Sequence, residues 1–124
     1  MYEITIETHF SAAHRLRQYD GECERLHGHN WKVEISVISE ILNELGMVMD
    51  FKDLKDKSKA LINRFDHQYL NDIPPFDRIN PTTENMAKYI FDELSKLINT
   101  ENIKISKVSI WESDTCSASY TNMR

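Results

Sequence analysis

Two histidines one residue apart, His27-Gly28-His29, are the feature of this 124-residue chain that most invites chemistry. In an extended segment residues i and i+2 point to the same side, so both imidazoles would be presented together. Counting back from Trp31, Val33 and Ile35 places His29, and His27 if the strand reaches that far, on the apolar face. His14 shares the parity of Ile4, Ile6 and Phe10, provided that Ser11-Ala12-Ala13 does not bulge and break the count. Imidazoles aimed inward need partners, because an unpaired buried polar group costs on the order of 2–7 kcal/mol. Two solutions exist. Backbone carbonyls could satisfy each ring separately, or the three rings could share a metal. Zinc suits three neutral nitrogens, and three protein ligands leave its fourth position open for water or substrate. Cys23, four residues before His27, could instead close that position and make the site structural.

Two further groups could carry protons or bind a ligand. Asp66-His67 pairs a carboxylate with an imidazole, which can orient the ring and raise its basicity. Neighbouring residues do not face each other on a regular helix, so such a pair requires irregular backbone. The alternative is plain surface polarity. Glu112 continues the parity of Val108 and Ile110, so its carboxylate either extends an apolar face or turns to water where the strand ends. On the first reading it would accept two adjacent N–H donors from a ligand. His9 falls on the polar face of its strand and reads as solvated.

These residues need elements to position them. Tyr2, Ile4, Ile6, Thr8 and Phe10 alternate with polar residues, the period of a half-buried strand. Trp31 to Val37 repeats that pattern, and the two strands could pair antiparallel across a polar loop holding Asp20-Gly21. From Asp50 the period becomes helical: Phe51, Leu54, Leu61, Ile62 and Phe65 share a face, with Asp50 as N-cap. Gly46 marks the break before it, and Pro74-Pro75 stops its continuation. A second helix begins near Pro81-Thr82-Thr83-Glu84, capped by Thr82 or Thr83, with Met86, Ala87, Ile90, Phe91, Leu94, Leu97 and Ile98 as its apolar stripe. Alternation returns at Val108 and Ile110, and a last strand is expected near Ser117 to Asn122. The order ββααββ predicts an α+β fold, an antiparallel four-stranded sheet with two helices on one face. One domain over residues 1–124 is expected.

Composition narrows the function classes. The hydrophobic share of 40% and charged share of 28% fit a chain that buries a core rather than a disordered one. A formal net charge of −5 without a basic stripe argues against nucleic acid. No apolar run approaches the ~20 residues of a membrane span, and the first residues read as strand rather than leader. Cys23 and Cys116 form no CxxC motif, so free thiols in a reducing cytoplasm are expected, with a Cys23–Cys116 disulfide as the alternative.

Taken together, the motifs resemble one family. Phe10-Ser11-Ala12-Ala13-His14 followed by Cys23-Glu24-Arg25-Leu26-His27-Gly28-His29-Asn30 is similar to the CxxxHGH signature of the 6-carboxytetrahydropterin and 6-pyruvoyltetrahydropterin synthases. Asp50-Phe51, Asp66-His67 with Leu70-Asn71, Pro81-Thr82-Thr83-Glu84 and Trp111-Glu112 follow in the family's order. The resemblance implies the tunnelling fold, in which subunits join their sheets into a barrel, and a homohexamer of two face-to-face trimers with active sites between subunits. It implies zinc on His14, His27 and His29, and Cys23 as catalytic thiolate. Asp66 and His67 would assist proton transfer from a neighbouring subunit. Glu112 would anchor the pterin ring, outside the metal's ligand set, with Thr82, Thr83 and Glu84 close by.

The implied substrate is 7,8-dihydroneopterin triphosphate. The implied products are 6-carboxy-5,6,7,8-tetrahydropterin, acetaldehyde and triphosphate, on the route to queuosine, with no partner beyond this small molecule and further copies of the chain. Reduction of the ring by electrons from the side chain requires no nicotinamide, and no Gly-rich dinucleotide motif is present. Ser113 replaces a threonine common in the family and keeps the hydroxyl. Glu22 and Glu24 flank Cys23, and some relatives of altered specificity use a glutamate in this region, which leaves a 6-pyruvoyl or side-chain-cleaved product open. A non-catalytic zinc domain with Cys23 as fourth ligand is the reading of another class. Arg15, Arg25 and Lys32 are triphosphate candidates that read better as solvated charge.

Overall fold

The computed structural model describes residues 1–17 and 25–122. Strands β1 (Tyr2–His14) and β2 (His27–Ser39) run antiparallel in unbroken register, from Tyr2 opposite Ser39 to His14 opposite His27. Ser11-Ala12-Ala13 does not bulge, so the alternation that buries Ile6, Thr8 and Phe10 carries through Ala12 to His14. On β2 the same face buries Trp31, Val33, Ile35 and Val37.

Helix α1 (Phe51–Ile62) begins where expected, with the Asp50 side chain accepting from the Lys52 backbone N–H at 2.8 Å. Helix α2 (Thr83–Ile98) is capped by Thr82, whose Oγ1 accepts from the Asn85 N–H at 3.0 Å. Such caps satisfy donors that the first turn leaves free, each contributing about 1 kcal/mol. Leu54, Leu61 and Ile62 of α1, and Met86, Ala87, Ile90, Phe91, Leu94 and Ile98 of α2, are buried. Phe51 and Leu97, the first and next-to-last residues of their helices, are exposed instead of joining the stripes. A helical stripe is buried only where a partner layer extends beneath it. Phe65 is buried but lies in turns beyond α1.

Helix α1 packs on β1, and α2 packs on strands β4 (Ile103–Ser113) and β5 (Cys116–Thr121). The expected antiparallel sheet gains a fifth member: β3 (Gln68–Tyr69) lies parallel to β1, opposite Ala12 and Ala13, giving the order β3-β1-β2-β4-β5. Two residues carry no readable periodicity, which is why the alternation pattern misses this strand.

Bulges interrupt the sheet twice. Between β2 and β4 the register shifts so that Ser106 is skipped. This explains why Ile103 and Ile105 have the opposite parity to Val108 and Ile110. Between β4 and β5 the register shifts again, from Trp111 opposite Ser117 to Ser113 opposite Cys116, and Glu112 is left unpaired. No helix among the described residues is long and apolar enough to cross a membrane.

Candidate metal centre and active site

The β1–β2 hairpin brings the three histidines together. His14 ends β1 directly opposite His27 at the start of β2, and His29 faces Ala12 two pairs further in. All three rings project to the inner side of the sheet, with centroids 4.5 Å (His14–His27), 4.7 Å (His27–His29) and 5.3 Å (His14–His29) apart. Trp31 forms their floor. Its ring meets His14 and His29 edge-on at 4.9 and 5.0 Å and stacks on Phe10 at 5.9 Å, and it is fully buried.

Hydrogen bonds fix two tautomers. His14 Nδ1 lies 2.8 Å from the Pro81 carbonyl oxygen, and His27 Nδ1 lies 2.7 Å from that of Arg25. A carbonyl only accepts, so each Nδ1 carries the proton and each Nε2 presents a lone pair. Those two Nε2 atoms are 3.0 Å apart. Burial, above all, holds the His14 pKa below its usual value, against the opposing pull of the Pro81 hydrogen bond. Burial also lowers that of His29, partly offset by Glu112. Both rings are therefore set to be neutral, the state that ligates metal.

Glu112 completes the cluster. Its Oε1 is 2.9 Å from His29 Nε2 and 3.5 Å from His14 Nε2. Yet His29 Nε2 is buried and makes no hydrogen bond among the described residues: the carboxylate is close without lying along the N–H direction. The four donor atoms all fall within 4.8 Å of one another. Tetrahedral zinc with ligands at about 2.0–2.1 Å sets its donors about 3.3 Å apart, so an ion of this size fits between them. An orphaned nitrogen and two opposed lone pairs both call for a cation. Glu112 thus stands at the histidines, on the inner face that its parity with Val108 and Ile110 indicates.

Glu112 also lines a small pocket of about 160 Å³ with Thr83, Glu84, Cys116, Ser117 and Ala118. Three of the four residues expected at the pterin end are gathered there. The fourth, Thr82, spends its hydroxyl on the α2 cap.

Asp66 and His67 are brought to each other but not to the cluster. Asp66 Oδ1 accepts from the Ser11 N–H at 2.9 Å and sits 3.1 Å from His67 Nδ1. The backbone irregularity that such a pair requires is present: His67 has φ +59°, and its N–H donates to the Ser11 carbonyl. The Ser11 N–H is the main reason that the Asp66 pKa lies below the usual carboxylate range. The His67 side chain is 80% exposed and borders a groove of about 520 Å³ whose lining also includes His29. Cys23, and with it the thiolate and the alternative fourth ligand or disulfide, lies outside the described residues.

A sequence model described as 6-pyruvoyl tetrahydropterin synthase matches residues 3–123. The chain belongs to the 6-pyruvoyl tetrahydropterin synthase family. Among relatives, the 6-carboxy-5,6,7,8-tetrahydropterin synthase of Synechocystis is 38% identical, covering 100% of this chain and 96% of its own. Human 6-pyruvoyl tetrahydrobiopterin synthase is 36% identical, covering 90% and 86%. The solved 6-pyruvoyl tetrahydropterin synthase of Caenorhabditis elegans superposes with a TM-score of 0.83 at 28% identity, over 99% of this chain and 98% of the other. The protein is therefore an enzyme of the pterin synthase class.

This member of the 6-pyruvoyl tetrahydropterin synthase family holds its site with groups that pattern reading does not find. Asn71 accepts from the Arg15 N–H at 2.9 Å and returns a bond to the Arg15 carbonyl at 2.8 Å. Asn80 does the same for Arg17, at 2.8 and 3.0 Å. The Arg17 guanidinium adds bonds to the Ile79, Asn71 and Phe76 carbonyls. The chain leaving His14 is thus pinned by side chains that imitate a β-ladder. Their only sequence signal is Asn71 within Leu70-Asn71. The Pro81 and Arg25 carbonyls leave none, since every residue has one. Arg15 and Arg25 are exposed, as solvated charges should be. Lys32 lies over the Trp111 ring at 4.7 Å, with Glu7 and Glu34 each 3.9 Å away.

Proposed function

We propose that this enzyme converts 7,8-dihydroneopterin triphosphate to 6-carboxy-5,6,7,8-tetrahydropterin, acetaldehyde and triphosphate, as a zinc-dependent lyase of cytoplasmic queuosine biosynthesis. The observation that carries the reading is the donor cluster itself: His14, His27, His29 and Glu112 converge beside a pocket lined by Thr83 and Glu84. Names among the relatives support the product, since the Synechocystis protein is a 6-carboxy-5,6,7,8-tetrahydropterin synthase.

Zinc on the three histidines would supply a Lewis acid that polarises side-chain oxygens and stabilises developing negative charge. The chain's own groups do the rest. Two tautomers are fixed before any ligand arrives, so His14 and His27 need no reorganisation. Glu112 accepts a ring N–H and the exocyclic amine of a pterin as a charge-assisted pair. Cys23 acts as thiolate base on a side-chain carbon. His67, held by Asp66, moves a proton at a second carbon. Its 80% exposure supports delivery to the site of a neighbouring subunit, within a hexamer of two trimers that joins sheets into a barrel.

Incubation with 7,8-dihydroneopterin triphosphate and mass spectrometry of the products tests the reading. 6-Carboxytetrahydropterin with acetaldehyde is expected. A 6-pyruvoyl product would transfer the chain to the activity named in its human relative.

A further inference from the structure

We propose that Glu112 is the fourth ligand of the metal while no pterin is bound, and that seating the pterin draws this carboxylate off the metal. The inference rests on the metal reading of the three histidines given above.

The contacts of Oε1 come first. An imidazole and a carboxylate at 2.9 Å ordinarily share a proton along the N–H direction; here burial lowers the His29 pKa and Glu112 pulls it back up, yet the contact falls short of an aligned N–H hydrogen bond. The same oxygen lies 3.5 Å from His14 Nε2, whose proton is committed to the opposite side of its ring. An anionic oxygen facing a lone pair is repulsive unless something positive sits between them. One oxygen crowding two nitrogens without an aligned hydrogen bond to either is the arrangement of donors around a common centre.

The backbone supplies the second argument. Glu112 is skipped by β5, and the pairing of β4 with β2 ends at Trp111 opposite Lys32. Neither ladder dictates where its side chain points, which is the usual consequence of a bulge beside a functional site. The side chain is 33% exposed and borders the Thr83–Glu84 pocket as well as the histidines. A single carboxylate therefore has two destinations within reach.

Charge supplies the third. Three neutral imidazoles leave a divalent ion with its full charge in a partly buried site, and one carboxylate halves it. A pterin that offers two N–H donors to the same carboxylate competes with the ion for it. The metal's fourth position then opens only when the ring is anchored, which keeps water and free anions away from the ion in the resting enzyme.

The test uses the whole chain, stripped of metal and reloaded with cobalt(II), whose visible spectrum reports coordination. Wild type should show the intense bands of a four-coordinate site, and azide should leave them unchanged. Glu112→Gln should bind cobalt at least about tenfold more weakly, measured by chelator competition, and azide should shift its spectrum. Matching spectra and equal affinity in the two proteins would overturn the proposal. So would an azide-shifted spectrum in wild type, an arm that needs no variant to fold. A wild-type chain that takes up neither cobalt nor zinc would instead sink the metal reading on which both proposals stand.

Discussion

The Nε2 atoms of His14 and His27 face each other at 3.0 Å while both Nδ1 protons are held by backbone carbonyls. Two lone pairs so opposed are stable only around a cation or with a proton added to one ring. The purified protein should accordingly carry about one zinc per chain, and His29→Ala should lose most of it. Elemental analysis of both proteins checks this. A fully active wild type without metal would refute it.

Cys23 should be dispensable for the metal and needed for turnover. Cys23→Ala is expected to keep its zinc and lose about 10²-fold or more in rate, the usual weight of a general base. Loss of zinc and of folding together would show the cysteine to be a structural ligand.

Glu112→Gln replaces one acceptor with a donor aimed at a donor. Pterin affinity should fall by about 1.5–3 kcal/mol, roughly ten- to a hundredfold, in a fluorescence titration. Equal affinities would reduce Glu112 to its role at the metal.

Asp66 gives a pH signature. Its pKa is lowered in the folded chain, chiefly by the Ser11 N–H, so the unfolded state binds more protons in acid. The stability that it adds should be complete above the unfolded value of about 3.9 and disappear as pH falls through the folded one. In urea titrations, the gap between wild type and Asp66→Asn should therefore be present at neutral pH and close in acid. A gap that widens on acidification would reverse the assignment.

Asn71 is buried and makes two bonds to the Arg15 backbone. Asn71→Ala would leave a donor and an acceptor without those partners, costing about 1–3 kcal/mol in a denaturant midpoint. An unchanged midpoint would mean that water replaces both bonds.

Local chemistry in the sequence determined much of this protein. Period-2 alternation put His27 and His29 on one side of a strand, and the same count put His14 inward. Asp50 and Thr82 declared their helices because a short polar side chain before an apolar stripe satisfies the free N–H groups of the first turn. Tertiary structure decided the rest. Only the β1–β2 register sets His14 opposite His27, since a slip of one residue would turn every side chain to the other face. The parity argument for Glu112 pointed inward, but the bulge that frees it from both ladders depends on how β4 meets β5. The Pro81 and Arg25 carbonyls that choose the tautomers are brought to the rings by the fold. Backbone groups are common to every residue, so no residue type announces which of them a histidine will meet.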